Sequence, residues 1–201
     1  GVDARMRAAG AWPQVVVAEG LSEPHDLEAR VRAASWVPLG SERLMFTRHA
    51  SVVPHLDPGL RIEAVTPATA LECATLEAAA FALDPDAIDV SAGLLALAVE
   101  SGATRAFIVR LAGEPVACAR LVPGAVGSGV ASLHAIGVAE RHRGRGYGRL
   151  ITAVATRAGL ATGHRLVWLS VDAENAGAIA LYHGLAFDFT FSWTRWAAPV
   201  R

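Results

Sequence analysis

The sequence predicts an α/β fold, a mixed sheet with helices on its faces. Three observations carry this. The apolar fraction is 53 % over 201 residues, enough for one sizeable core. From about residue 60 the punctuation gives the order β-α-α-β-β-β-α-β-α-β. Between two of these elements, "LHAIGVAERHRGRGYGRL" (133–150) passes from an apolar strand pattern through clustered arginine and glycine into a helical pattern.

In chain order, "LRIEAV" (60–65) alternates as a strand does. Thr66 and Pro67 open a helical pattern through "ATALECATLEAAAFAL". Asp84-Pro85-Asp86 breaks it, and "AIDVSAGLLALAVE" reads as a second helix ending near Gly102. "RAFIVRLAG" and "PVACARLVPG" are strands separated by Gly113-Glu114, a hairpin signal. "ASLHAIGVA" (131–139) is the next strand. "RLITAVATRAGLAT" follows as a helix, with Leu150, Ile151, Val154 and Ala158 at core spacing and Gly163 as its C-cap. "RLVWLSVD" (165–172) reads as a buried strand, "NAGAIALYHGL" as a short helix and "FDFTFSWTRW" as a long strand. The first 55 residues form a small β-α-β annex. Within it, 15–48 repeats the strand, turn, short helix and long strand of 166–196. A degenerate half-repeat and a merely similar arrangement both fit, and no glycine-rich turn places a cofactor there.

Composition excludes several classes. No apolar run approaches the roughly 18 residues needed to span a bilayer, and no basic stretch followed by an apolar run opens the sequence. A cytoplasmic protein without membrane contact is expected. The sequence starts at Gly1 rather than Met, as a trimmed chain does. A net charge of −1 argues against a general nucleic-acid binder. Cys73 and Cys118 lie in different elements without motif spacing, so reduced thiols and no metal are expected. All 18 basic residues are arginine. Without lysine there is no GK[ST] phosphate loop and no Schiff base.

Arg141, Arg143 and Arg145 alternate with Gly144, Gly146 and Gly148 at the strand-to-helix turn. Free N–H groups at a helix N-terminus make a ready anion site, and glycines let a bulky anion approach. A solvated basic turn is the other reading of the residue types. The spacing G-x-G-x-G is not that of a dinucleotide fold, which speaks against an oxidoreductase.

Arg143-Gly144-Arg145-Gly146-Tyr147-Gly148 matches the R/Q-x-x-G-x-G/A signature of the GNAT superfamily of N-acetyltransferases. The stretch Arg141–Gly146 also fits, but only the later frame puts the helix start in the family position. With "LHAIGV" before it and "ENAGAIALYHGLAF" after it, the resemblance covers roughly 60–198. It implies the GNAT fold, with a twisted, mostly antiparallel sheet and helices on both faces, over 60–201. It implies that Arg143 to Gly148, with Arg145 and Tyr147, hold the pyrophosphate of acetyl-coenzyme A. It also implies a kinked strand whose backbone near Ile136 and Val138 pairs with the pantetheine arm. Gly137 would ease that bulge or simply allow close packing.

An amine of pKa about 10.4 is neutral in only roughly one molecule in 2,500 at pH 7. Transfer to it gains from a base, from donors to the developing oxyanion and from an acid for the leaving thiolate. Tyr182 in "NAGAIALYHGL" resembles the family's tyrosine beside the coenzyme sulfur and is the acid candidate; the other reading is a core tyrosine. Asn175 at that helix start would touch the pantetheine. His134 is the base candidate, read as alternating with Ile136 and Val138 on one side of its strand; "LHAIGV" resembles the corresponding strand of arylalkylamine N-acetyltransferases. His183 is expected at the surface. Asp84, Asp86 and Asp89 would attract a cationic amine or cap a helix turn. Trp193 and Trp196 would line the acceptor cleft or pack against the annex. The expected activity is acetyl transfer to a primary amine of a small molecule or peptide in a ternary complex, the alternative a non-catalytic acyl-coenzyme A-binding module. Oligomeric state is open, a homodimer included.

Overall fold

The computed structural model describes residues 12–53 and 58–199. The expected annex is therefore described from Trp12 to Val53; its remaining residues lie outside the described ones. The strands are β1 (Gln14–Ala18), β2 (Val37–Thr47), β3 (Leu60–Ala64), β4 (Arg105–Leu111), β5 (Glu114–Pro123), β6 (Val130–Val138), β7 (Leu166–Asp172) and β8 (Asp188–Ala197). The helices are α1 (Leu27–Ala33), α2 (Ala70–Phe81), α3 (Ile88–Glu100), α4 (Tyr147–Ala161) and α5 (Ala176–His183). The sheet runs β1-β8-β2-β7-β6-β5-β4-β3, mixed and mostly antiparallel as expected. Within the four strands β1-β8-β2-β7, exchanging β1 with β7 and β2 with β8 and reading from the other end leaves the order unchanged. No helix among the described residues is long and apolar enough to cross a membrane.

The chain divides into two compact units. The larger comprises Phe46–Leu169 and Ala180–Phe187. In it, β3, β4, β5 and β6 form an antiparallel meander. The β4–β5 turn is centred on Ala112 and Gly113, with φ of 49° and 89°. Both are the positive values a two-residue hairpin needs, so the turn sits one residue earlier than expected. Alternation sorts side chains between two helical layers. Arg120 points to Glu77 of α2, while a methyl of the next residue, Leu121, lies 3.1 Å from where a Cβ on Gly159 of α4 would stand. One core joins Val65, Cys73, Leu76, Leu95, Ile108 and Cys118 beneath α2 and α3. On the other side, α4 is buried over more of its circumference than expected. Thr152, Ala155 and Thr156 are buried, whereas Val154 and Ala158 are only half-buried. The Thr152 hydroxyl is accommodated by donating to the Gly148 carbonyl at 2.7 Å.

The β6–β7 pairing is parallel and joins Val130, Ala131 and Ser132 to Leu166, Val167 and Trp168. β6 itself continues to Val138. On its β5 side the register shifts: Cys118 faces Gly137 and Arg120 faces His134. Ala119 therefore stands against both Ala135 and Ile136, a β-bulge, and Ala135 takes φ of 50°.

The smaller unit comprises the chain to Met45, Ser170–Ile179 and the chain from Asp188. β1 pairs antiparallel with β8. Val17, Val31 and Trp196 make its core with Val15, Leu27 and Trp36. The Arg32 guanidinium covers the Trp196 ring at 4.7 Å, shielding the indole from water.

Candidate active site

The arginine-glycine turn leads from β6 into α4, whose N-cap is Gly146 with φ of 85°. Gly144 also has positive φ, 74°, which a residue with a Cβ adopts only at a cost of about 1–2 kcal/mol. α4 starts at Tyr147, as the later signature frame requires. It has no side-chain cap and no acidic residue in its first turn. The other described helices have one or the other: α1, α2 and α3 carry Glu28, Glu72 and Asp89, and Asn175 caps α5. The amides of residues 144 to 149 have no hydrogen-bond acceptor among the described residues. Stacked N–H groups at the positive end of a fifteen-residue helix make a site of unmet demand for negative charge.

A cavity of about 250 Å³ opens at this turn, lined by Val138, His142, Arg143, Gly144, Gly146, Tyr147, Gly148, Arg149 and Leu181. A Cβ on Gly148 would sit 3.3 Å from Leu181 Cδ1 and 3.5 Å from Val138 Cγ2, so this glycine keeps the cavity open where β6, α4 and the end of α5 converge.

The three arginines differ in their engagements. Arg141 pairs with Glu114. Arg143 donates from Nη2 to the Ala80 carbonyl at 2.9 Å and its amide bonds Glu140, so it braces the end of α2. Exposed Arg145 has no partner among the described residues. His142, which the sequence reading passed over, is buried beneath the turn, with neither ring nitrogen hydrogen-bonded and Nε2 3.5 Å from Glu114 Oε1. Burial, and then the charges of Arg141 and Arg145, lower its pKa from the ordinary histidine value. Its signal in the sequence was weak, one histidine between two arginines.

The bulge corrects the expected alternation. His134 does not share a face with Ile136 and Val138. The extra residue inverts the pattern, so His134 lies on the Gly137 face, toward α2, and Val138 on the α4 side. Gly137 serves packing: its Cβ would stand 2.9 Å from Ala80 Cβ and 3.4 Å from Cys118 Sγ, while the positive φ falls on Ala135. His134 is exposed, with Nε2 2.7 Å from Ser132 Oγ and its ring edge-to-face with Trp168 at 6.0 Å. Partial desolvation, and then the charge of Arg120, lower its pKa from the ordinary value, favouring the neutral form a base needs.

Tyr182 is buried, 7 % exposed, with its ring 6.0 Å from Phe187. Burial pushes its pKa up to about 12, so it carries its proton throughout the physiological range. No described residue accepts that proton in a hydrogen bond. Leu181, its neighbour, lines the cavity at the turn. In the smaller unit, Asn175 accepts from the Ala178 amide at 3.0 Å. His183 is exposed, as expected.

The acceptor-side residues sort by contact. Asp84 accepts from the Asp86 amide at 3.0 Å, a helix-entry cap; Asp86 and Asp89 are exposed. Trp193 Nε1 donates to Glu42 Oε2 at 3.2 Å and Trp196 packs on Val17 and Val31. Both tryptophans thus face the N-terminal segment.

A mostly antiparallel sheet with a bulged strand leading into an uncapped, glycine-entered helix sets the α/β class of this chain. Residues 74–187 match the model of the acetyltransferase (GNAT) family. The chain belongs to that family. Its fold is also that of a GCN5-related N-acetyltransferase from Kribbella flavida (TM-score 0.74, 20 % identity, covering 100 % of this chain and 73 % of that one). A GCN5-related N-acetyltransferase from Sphaerobacter thermophilus is similar (TM-score 0.73, 18 % identity, 98 % of this chain and 63 % of that one). So is a tandem GNAT protein from the clavulanic acid biosynthesis pathway (TM-score 0.75, 19 % identity, 98 % and 68 %). This chain thus spans about two thirds of the length of these structures. No curated protein matches the sequence.

Proposed function

We propose that the protein transfers the acetyl group of acetyl-coenzyme A to a primary amine of a small molecule or peptide, by direct attack in a ternary complex. The observation that carries this reading is the run of unpaired amides at 144–149 around an open cavity. These residues fit the coenzyme: free N–H donors and the helix dipole suit a pyrophosphate, and the glycines leave room for it. The coenzyme supplies the acyl group activated as a thioester.

The chain supplies the rest. Gly144 to Gly148, with the Arg145 and Tyr147 amides, hold phosphate oxygens, and Arg143 fixes the turn against α2. The backbone near Ile136 and Val138 pairs with the pantetheine. His134, kept neutral, takes a proton from the amine, directly or through water. Tyr182 gives its proton to the leaving thiolate.

The test is release of free thiol from acetyl-coenzyme A against a panel of small amines, aminoglycosides and peptides. Release that depends on an added amine, with an acetylated product of matching mass, is the expected result. Tight coenzyme binding with no release for any acceptor would instead describe a non-catalytic binding module.

A further inference from the structure

We propose that the ion pair of buried Glu77 and half-buried Arg120 is a positioning element that, added to partial desolvation, opposes the charging of His134; this rests on reading His134 as the base. Arg120 stands directly opposite His134 in the β5–β6 register, just before the bulge. It is clamped through both carboxylate oxygens: Nε donates to Glu77 Oε1 at 2.6 Å and Nη2 to Oε2. Glu77 is 6 % exposed, on the face of α2 packed against the sheet.

An unclamped arginine in a strand would carry its charge out to water. Held in this fork, the permanently charged guanidinium stays on the imidazole's face of the sheet, at the facing register position, and opposes its protonation. The other groups around His134 come from four elements. From β5 the titratable neighbour is Cys118, whose thiol is kept protonated by its interaction with Cys73 and then by burial. From α2 come Glu77, whose carboxylate opposes part of the guanidinium's effect on the ring, and Cys73, whose Sγ is 3.6 Å from Glu77 Oε1. From β7 comes the Trp168 ring, and from β6 itself the Ser132 hydroxyl, 2.7 Å from Nε2. The network ends at the bulge, where Cys118 Sγ lies 3.6 Å from the Ala135 carbonyl. A buried pair of this kind is commonly no more stabilising than apolar side chains of its volume, so stability gives little reason for it.

The test is an NMR titration of the His134 imidazole in the parent protein, Arg120→Met, Arg120→Lys and the double variant Glu77→Gln/Arg120→Met. The acid limb of kcat/KM is followed in parallel. In Arg120→Met the imidazole titrates at higher pH, and the ratio of kcat/KM at pH 6 to that at pH 8 falls several-fold. Arg120→Lys restores both. The double variant leaves no unpaired buried charge, and it moves the imidazole the same way even if Arg120→Met fails to fold. An imidazole that titrates identically in the parent and the double variant overturns the inference. An imidazole that moves while the kinetic limb stays put upholds the pair's control of His134 and removes His134 as the base.

Discussion

Tyr182 and His134 show how one side chain acquires a role from its surroundings. Buried in the last turn of α5, Tyr182 holds its proton to about pH 12, and its phenol has no described acceptor to compete for that proton. If it protonates the leaving thiolate, Tyr182→Phe lowers turnover by roughly 10²–10⁴ with little change in coenzyme affinity. Stopped-flow thiol release with equilibrium binding measures both, and an unchanged turnover removes Tyr182 from the chemistry. The residue pattern named this tyrosine and His134. It did not reveal that His134 turns toward α2, because one inserted residue inverts every later side chain and a bulge at an alanine leaves no mark in the sequence. Glu77 and Arg120 were not singled out in the sequence, although a carboxylate on the apolar face of a helix and an arginine inside an apolar strand each require a partner.

At the scale of elements, the start of α4 carries the argument. Gly148 is the point where β6, α4 and the end of α5 approach one another. Gly148→Ala favours the helix by propensity yet adds a methyl 3.3 Å from Leu181 Cδ1. The expected outcome is a melting temperature close to the parent's with coenzyme affinity reduced several-fold, by calorimetry. A fall in melting temperature with unchanged affinity would make this glycine structural. The turn was readable because its chemistry is local, with glycines, arginines and a helix start within a few residues. Ala186 was less so. Its φ of 60° puts an alanine in the left-handed region, held between buried Leu185 and Phe187.

For the whole molecule, strand and helix order could be read from periodicity and turn residues. Strand order could not, since it depends on pairings distant in sequence, such as β1 with β8. The placement of Trp193 and Trp196 against the N-terminal segment follows from that pairing. Burial of Tyr182 also has a global consequence. The fold favours the neutral phenol, so this contribution is complete below pH 10 and is lost as pH rises toward 12. The difference between the ordinary and folded values corresponds to about 3 kcal/mol. Denaturant unfolding of the parent should therefore weaken with pH over that window more than unfolding of Tyr182→Phe. Parallel pH dependences for the two proteins would contradict this.

On the proposed reading, the amides from Gly144 to Arg149 receive the coenzyme's phosphates. The most direct measurement of this is a titration of the ¹⁵N-labelled protein with coenzyme A, following every backbone amide. Large, saturable shifts are expected at Gly144, Arg145, Gly146, Tyr147, Gly148 and Arg149, strongly reduced when pantetheine without the nucleotide is used. Saturable binding that leaves these amides unmoved and perturbs another part of the chain would contradict it.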